Sequence, residues 1–290
     1  MANQEDEPKV QTSLMHKGRK TVWHLQQMKN KGEKITMVGP GNLDPLFTAW
    51  ADAAGCDMAR IVAPGESARP RSAGLASHCR QVRKLAPNIH INAVLETFVV
   101  PDNRSALEEA SALMADEVDS VLIMGITNDK LQYLSDNNVP VFGHVGALSG
   151  WQTTNIGGYK RIAKTADEAF KVWRRAYEYQ ECGMKGMTIE LVPRQVAEVI
   201  SQHLSIPVVG IAAGAPCDGS EMVVWDLLGI VPAATVHAVQ YANLPEVCVG
   251  AYSKFKEEVT TGVYPQPHHG FEMDEAEYEK FKDMVEKDVH

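Results

Sequence analysis

The sequence lacks the features that mark secreted and membrane-spanning proteins. Only five of its 290 residues are cysteine, an odd number, and they lie far apart with no pair at metal-ligand spacing. This pattern predicts reduced thiols rather than a disulfide framework. No apolar run reaches the 18 residues that mark a membrane-spanning helix, and the polar start MANQEDEPKV lacks the apolar region of a signal peptide. We therefore expect a cytoplasmic protein with no membrane contact.

Positive charge is also scarce. The chain has 28 lysine and arginine residues against 37 aspartate and glutamate residues, which gives a formal net charge of -9. Because an acidic protein repels the phosphate backbone, we expect no nucleic-acid partner. The sequence also contains neither a Gly-x-Gly-x-x-Gly dinucleotide fingerprint nor a phosphate-binding loop.

What remains is typical of one large globular unit. Hydrophobic residues make up 44% of the chain and charged residues 22%, enough for a sizeable core. No repeat and no low-complexity linker divides the sequence. We therefore expect one domain over residues 1–290, with a polar N-terminal arm and a helical C-terminal tail from Ala233.

Short apolar runs alternate with helical patterns along the chain. Eight runs are separated by helices of about ten residues, which favours a (β/α)8 TIM barrel over an open sheet. The predicted strands are Ile35–Val38, Ala59–Ala63, Ile89–Phe98, Ser120–Gly125, Val139–Val145, Met187–Glu190, Ile206–Ala212 and Glu221–Trp225.

Two successive strand ends carry the pattern of a barrel mouth. Glu190 closes an apolar run directly before a predicted helix, Arg194–Leu204, and the next run ends in the small-residue turn Ala213–Gly219. Small residues let a backbone approach a ligand closely, and barrel active sites lie at these ends. An ordinary strand-to-helix turn with an exposed glutamate is the alternative. His144, near the end of the fifth run, is either a ligand-binding group or a core histidine satisfied by backbone.

Several motifs, in one order along the chain, resemble the ketopantoate hydroxymethyltransferase family. The resemblance covers roughly residues 21–272. The motifs are Asp44-Pro, Ser77-His-Cys-Arg-Gln-Val-Arg, Gly143-His-Val-Gly-Ala-Leu, Gly157-Gly-Tyr-Lys, Glu190-Leu-Val-Pro, Cys217-Asp-Gly, Trp225-Asp-Leu-Leu-Gly and Gly262-Val-Tyr-Pro.

This resemblance implies a barrel of the phosphoenolpyruvate/isocitrate lyase type and a homo-oligomer, a decamer in the family. It also implies hydroxymethyl transfer from methylene-tetrahydrofolate to 3-methyl-2-oxobutanoate, in pantothenate biosynthesis, with Mg²⁺ or another divalent metal holding the 2-oxo acid. A metal ion polarises the oxo group, and a carboxylate shuttles the proton of the neighbouring carbon. Glu190 stands at the family's proton-acceptor position.

The metal motifs of the family are altered in this chain. The Gly-Asp-Ser metal motif reads Gly65-Glu66-Ser67, and the second metal aspartate falls near Val94-Leu95, beside Glu96. Mg²⁺ often takes only one or two protein carboxylates. The resemblance therefore implies Glu66 and Glu96 as metal ligands, with Ser67 and His144 binding substrate; ordinary loop and strand carboxylates are the alternative.

The family's substrate lysine and a glutamate two places on fall on Leu122 and Met124. Arg69 or Arg71 is the candidate replacement for the lysine, because a guanidinium suits a carboxylate; a solvated basic loop is the alternative. These losses also favour a second function, an aldolase, lyase or decarboxylase acting on another 2-oxo acid. A third possible function is non-catalytic, that of a barrel acting as a scaffold or sensor. The retained Glu190 argues against this third function.

Overall fold

The computed structural model describes residues 18–40, 44–63, 71–149, 153–154, 157–231 and 237–288, with the side chains of residues 71–73 excepted. Within these ranges no helix is both long enough and apolar enough to cross a bilayer. The predicted site residues Glu66, Ser67 and Arg69 lie outside the described residues, as does the side chain of Arg71.

Eight parallel strands form one sheet in the order β4-β3-β2-β1-β8-β7-β6-β5. A parallel bridge between Val121 and Val141 joins β4 to the start of β5 and brings the two edges together. The predicted eight-stranded barrel is confirmed. The strands are β1 (Ile35–Val38), β2 (Met58–Ile61), β3 (His90–Leu95), β4 (Ser120–Ile123), β5 (Phe142–Gly146), β6 (Gly186–Glu190), β7 (Val208–Ile211) and β8 (Gly219–Met222).

Helices follow the strands and cover the outside of the sheet. They are α1 (Val22–Lys31), α2 (Pro45–Ala53), α3 (Arg71–Leu85), α4 (Asn103–Ala115), α5 (Asn128–Asp136), α6 (Ala166–Glu181), α7 (Arg194–His203), α8 (Val224–Leu227), α9 (Leu244–Thr260) and α10 (Glu275–Asp288). Side-chain caps set several starts: Asp102, Thr127 and Thr165 each accept a backbone N–H from the first turn of α4, α5 and α6. Such caps satisfy donors that the helix itself leaves unpaired.

The eighth strand differs from its prediction. It spans Gly219–Met222, whereas the apolar pattern predicted Glu221–Trp225. The residues Val224–Leu227 form α8 instead. Apolar side chains in a short run do not distinguish a strand from a buried helical turn. As a result, Glu221 lies inside the strand rather than at its start.

Side chains alternate between the two faces of each strand, and this alternation separates two cores. Ile91, Ala93 and Leu95 of β3 pack with the helices in the outer core. A smaller apolar cluster fills the inside of the barrel, and it includes Met58 and Phe142 together with Leu25 of α1. Helix α1 therefore covers the amino-terminal end of the barrel, and the opposite end forms the mouth.

The last two helices bury no residue. Helices α9 and α10 expose large apolar side chains, among them Tyr252, Phe255, Phe281 and Met284. The predicted C-terminal tail is helical, but the described residues provide little cover for it.

Candidate active site

A cavity of about 450 Å³ opens at the carboxyl ends of the strands. Its walls combine apolar residues with a small number of charged ones, as is usual for small-molecule sites. Its lining includes Gly39, Arg60, Val62, Val94, Glu96, Leu122, Met124, His144, Thr153, Tyr159, Glu190, Ile211, Glu221 and Val223.

Glu190 lies at the end of β6 and faces this cavity, with 8% of the residue exposed. Its Oε2 is 2.9 Å from Nε2 of His144 on β5. Its Oε1 accepts a hydrogen bond from the Tyr159 hydroxyl, which comes from the loop after β5. The structure therefore brings together the two predicted residues Glu190 and His144 and adds a tyrosine that the sequence prediction did not assign to the site.

Glycine lets β5 and β6 approach closely at this point. Gly146 is paired with Glu190, and a Cβ on Gly146 would lie 2.3 Å from the carbonyl oxygen of Glu190. Gly146 also has φ +94°, a value that glycine adopts without a steric penalty. This requirement explains the glycine in Gly143-His-Val-Gly and the firm placement of His144 beside Glu190.

Backbone strain is concentrated at the same strand ends. Leu191, directly after Glu190, has φ +49°, and Ala212, directly after β7, has φ +50°. Each such left-handed residue costs on the order of 1–3 kcal/mol unless it is glycine, and such residues cluster at functional sites. The two neighbouring strands thus both carry strain where they meet the cavity.

Tyr159 holds its proton beside Glu190. Burial, the hydrogen bond to Glu190 and the charge of that carboxylate together raise the pKa of Tyr159 well above its usual range. The phenol is therefore a donor at neutral pH, and Glu190 is held as an acceptor. His144 is buried, and its Nδ1 has no hydrogen-bond partner among the described residues.

A buried ion pair below the mouth was not predicted as part of the site. Arg60 of β2 donates from Nε to Oε1 of Glu221 at 2.8 Å and from Nη2 to Oε2 at 3.1 Å. Nη1 donates to Asn92 Oδ1 at 3.0 Å, and Nη2 donates to Thr188 Oγ1 at 2.6 Å. Burial alone would raise the pKa of Glu221, but the charge and hydrogen bonds of Arg60 outweigh it and lower this pKa. Both side chains are therefore charged.

The signal for this pair was present in the sequence. Arg60 interrupts an apolar run and Glu221 opens one, and a charged side chain in a buried strand has to be paired. Neither sequence position indicates the partner, because the two residues are 161 positions apart and the closure of β1 against β8 brings them together.

Glu96 follows β3 immediately and lines the cavity on the same side as Val94. Among the described residues no group of three or more His, Cys, Asp or Glu side chains is arranged to hold a metal ion. Leu122 and Met124, where the family's lysine and glutamate fall, make an apolar wall of the same cavity.

Comparison with known proteins places this cavity in context. Residues 19–267 match the family model described as ketopantoate hydroxymethyltransferase. The chain is 32% identical to 3-methyl-2-oxobutanoate hydroxymethyltransferase 1 of Methylibium petroleiphilum, over 94% of this chain and 96% of that protein. It is 31% identical to the 3-methyl-2-oxobutanoate hydroxymethyltransferase of Hyperthermus butylicus, over 91% of this chain and 95% of that protein.

Solved structures share the fold. A 2,3-dimethylmalate lyase, titled a member of the PEP mutase/isocitrate lyase superfamily, has a TM-score of 0.52 at 10% identity, over 92% of this chain and 98% of that chain. An oxaloacetate acetylhydrolase in complex with 3,3-difluorooxalacetate also gives 0.52 at 10% identity, over 91% of this chain and 95% of that chain. The predicted barrel type is confirmed at the level of fold.

Proposed function

Since this chain belongs to the ketopantoate hydroxymethyltransferase family, we propose that it transfers a hydroxymethyl group from methylene-tetrahydrofolate to the carbon beside the oxo group of 3-methyl-2-oxobutanoate. The observation that supports this is the carboxylate of Glu190, which faces the cavity between a phenol donor and a buried imidazole. A carbon acid needs a base held in one orientation and kept in its charged form.

Glu190 removes the proton from C3 of the oxo acid, and the resulting enolate carbon forms a bond to the one-carbon unit. Both bonds from the methylene carbon to the folate nitrogens break, and a water oxygen takes the second place on that carbon as the hydroxyl group. The C3 proton and one proton of the water go to the two folate nitrogens. Tyr159 keeps Oε1 of Glu190 in place, so Oε2 and the neighbouring His144 face the reacting carbon and its oxo group. His144 lines the cavity beside Glu190 and fits the role of a substrate hydrogen-bonding residue.

A divalent metal fits this cavity through few protein ligands. Glu96 supplies one carboxylate at the wall, and Mg²⁺ usually keeps several waters beside one or two carboxylates. We assign Glu96 and Glu66 as its ligands, with Ser67 and Arg69 near the substrate. When bound, the metal would polarise the oxo oxygen and lower the cost of forming the enolate. Glu96→Gln and Glu66→Ala should each weaken both Mg²⁺ and oxo-acid binding in calorimetric titrations.

Two assays test the proposed reaction. With methylene-tetrahydrofolate present, the purified protein should consume 3-methyl-2-oxobutanoate. Without the folate it should still exchange the C3 proton with deuterium from solvent, which NMR detects. Exchange without transfer would replace the transferase by an aldolase or lyase acting on another 2-oxo acid, a candidate that the apolar wall of Leu122 and Met124 favours. Absence of both activities would contradict the assignment of Glu190.

We further propose a homo-oligomer, a decamer by family resemblance, and a cytoplasmic location. The support for the oligomer is the apolar surface of α9 and α10, which no described residue covers.

A further inference from the structure

The charges around the cavity pose a problem for an anionic substrate. The described lining residues include three carboxylates, Glu96, Glu190 and Glu221, whereas Arg60 is the one permanently charged cation among them. The neighbouring β4 wall is apolar at Leu122 and Met124. The carboxylate of a 2-oxo acid would be repelled by this set unless a cation meets it directly.

Arg60 has a donor left for that purpose. A guanidinium has five N–H groups. Those that Arg60 directs to Glu221, Thr188 and Asn92 account for four of them: one on Nε, one on Nη1 and two on Nη2. The second hydrogen of Nη1 has no acceptor among the described residues. Arg60 itself lines the cavity.

The partners of Arg60 also hold it still. Glu221 accepts hydrogen bonds from two nitrogens of Arg60. Thr188 donates its hydroxyl to Glu221 at 2.9 Å, and the Asn92 amide donates to Ser120 Oγ at 2.9 Å. A guanidinium fixed in this way keeps one geometry, which favours a single charge-assisted hydrogen bond to a carboxylate. A buried ion pair adds little net stability compared with apolar residues of the same size. Stability alone therefore does not account for its position beside the cavity.

We propose that Arg60 binds the carboxylate of the oxo-acid substrate, and that Glu221, Thr188 and Asn92 position its guanidinium. This inference rests on the proposed function, because it takes the substrate to be a 2-oxo acid. It also gives Arg60 the role for which the sequence had indicated Arg69 or Arg71. Glu190 then faces the reacting carbon, two residues along β6 from Thr188, with His144 of β5 beside it.

The test compares two ligands that differ only in charge. Calorimetry measures the dissociation constants of 3-methyl-2-oxobutanoate and of its neutral amide, both with Mg²⁺ and without folate. The wild-type protein should bind the acid more tightly than the amide. In the double variant Arg60→Met/Glu221→Leu, which removes both charges, the acid should lose about 10- to 100-fold while the amide changes little.

A loss of the preference for the acid is a result that a purely structural role would not produce. Arg104→Met, at an exposed position on α4 outside the cavity lining, serves as the matched comparison and should keep the preference. If the double variant does not fold, Thr188→Val gives the same measurement with one positioning bond removed, and the preference should fall in the same direction. The inference is overturned if either folded variant of the pair network keeps the wild-type preference.

The titration also separates this inference from the proposed reaction. A protein that prefers the acid through Arg60 but does not transfer the one-carbon unit would support Arg60 and contradict the transferase. Transfer of the one-carbon unit, together with an unchanged preference for the acid in the double variant, would support the transferase and contradict the role of Arg60.

Discussion

At the scale of single residues, the site depends on one carboxylate with a donor at each oxygen. His144 and Tyr159 approach Glu190 from the end of β5 and from the loop that follows it. Glu190 itself belongs to β6, and the two residues that position its carboxylate come from β5 and from the loop after β5.

Glu190→Gln should keep the fold and the binding of the oxo acid but lose turnover. The amide cannot accept the C3 proton, and general acid–base help is typically worth about 10²–10⁴-fold in rate. Initial rates and the deuterium exchange rate should fall together, while the dissociation constant for the acid stays within a few-fold. Glu181→Gln, an exposed position at the end of α6, is the matched control and should show wild-type rates.

His90 should make the protein less stable in mild acid. Burial lowers the pKa of His90 from 6.5 to about 4, so the folded state stays neutral while the unfolded chain takes up a proton. The unfolded state binds more protons below pH 6.5, and the free energy of unfolding therefore falls between pH 6.5 and 4. At pH 5 this single residue should cost about 2 kcal/mol relative to pH 7.5.

Urea unfolding at pH 5 and pH 7.5 checks this. His90→Gln should reduce the difference in free energy between the two pH values by about 2 kcal/mol. The exposed His268→Gln should leave the difference unchanged. An unaltered difference in His90→Gln would show that other groups cause the acid sensitivity.

At the scale of elements, the close approach of β5 and β6 depends on Gly146. Gly146→Ala would place a Cβ 2.3 Å from the Glu190 carbonyl oxygen, in addition to the unfavourable φ. Gly55 has a similar φ of +85° but no atom within 4 Å of its Cβ position, and it supplies the control. Gly55→Ala should cost about 1–2 kcal/mol for the backbone alone, and Gly146→Ala should cost clearly more.

Thermal unfolding measures both variants, and kinetics separates their effects further. Because Gly146 follows His144 closely on the strand that pairs with Glu190, Gly146→Ala should also reduce kcat, whereas Gly55→Ala should not. Equal losses of stability in the two variants would show that the close contact at Gly146 does not constrain the fold beyond its backbone conformation.

The order of elements was predictable, but the inside of the barrel was not. Glu190 and His144 could be identified because each stands where an apolar run ends, and strand ends converge at a barrel mouth. Arg60 stands within a run and Glu221 at the start of one, so the pattern assigned them to strands without a role. Their meeting depends on the closure of β1 between β2 and β8, which no local pattern contains. Tyr159 was missed because its loop has no period that would orient its side chain.

The difference between the predicted and the observed eighth strand has the same cause. Val223, Val224 and Trp225 continue an apolar run, yet Val224 begins α8. Contacts with the neighbouring strands, rather than local hydrophobicity, determined that Gly219–Met222 is the strand.

At the scale of the whole molecule, the apolar faces of α9 and α10 predict association of several chains. Tyr252 is 75% exposed and Phe255 56% exposed in a helix with no buried residue. Large contiguous apolar surfaces mark interfaces between proteins. Light scattering at micromolar concentration should therefore give a mass well above the 31.8 kDa of one chain.

The double variant Tyr252→Glu/Phe255→Glu should reduce that mass, since it introduces charge into the apolar face. The exposed charge reversal Lys171→Glu on α6 controls for net charge and should leave the mass unchanged. A wild-type monomer would contradict the proposed homo-oligomer without affecting the proposed chemistry.

The cover that α1 gives to the amino end of the barrel has a consequence for the order of events. Leu25 and the apolar cluster around it close that end, so ligands enter and leave by the mouth. The small acid, if bound at Arg60, lies below the rim, and a folate that approaches from the rim would block its path. In the proposed reaction the acid must then bind first, and the hydroxymethylated product must leave after tetrahydrofolate. A barrel that is open only at its mouth would thus impose compulsory ordered kinetics on a reaction between a small substrate and a large one.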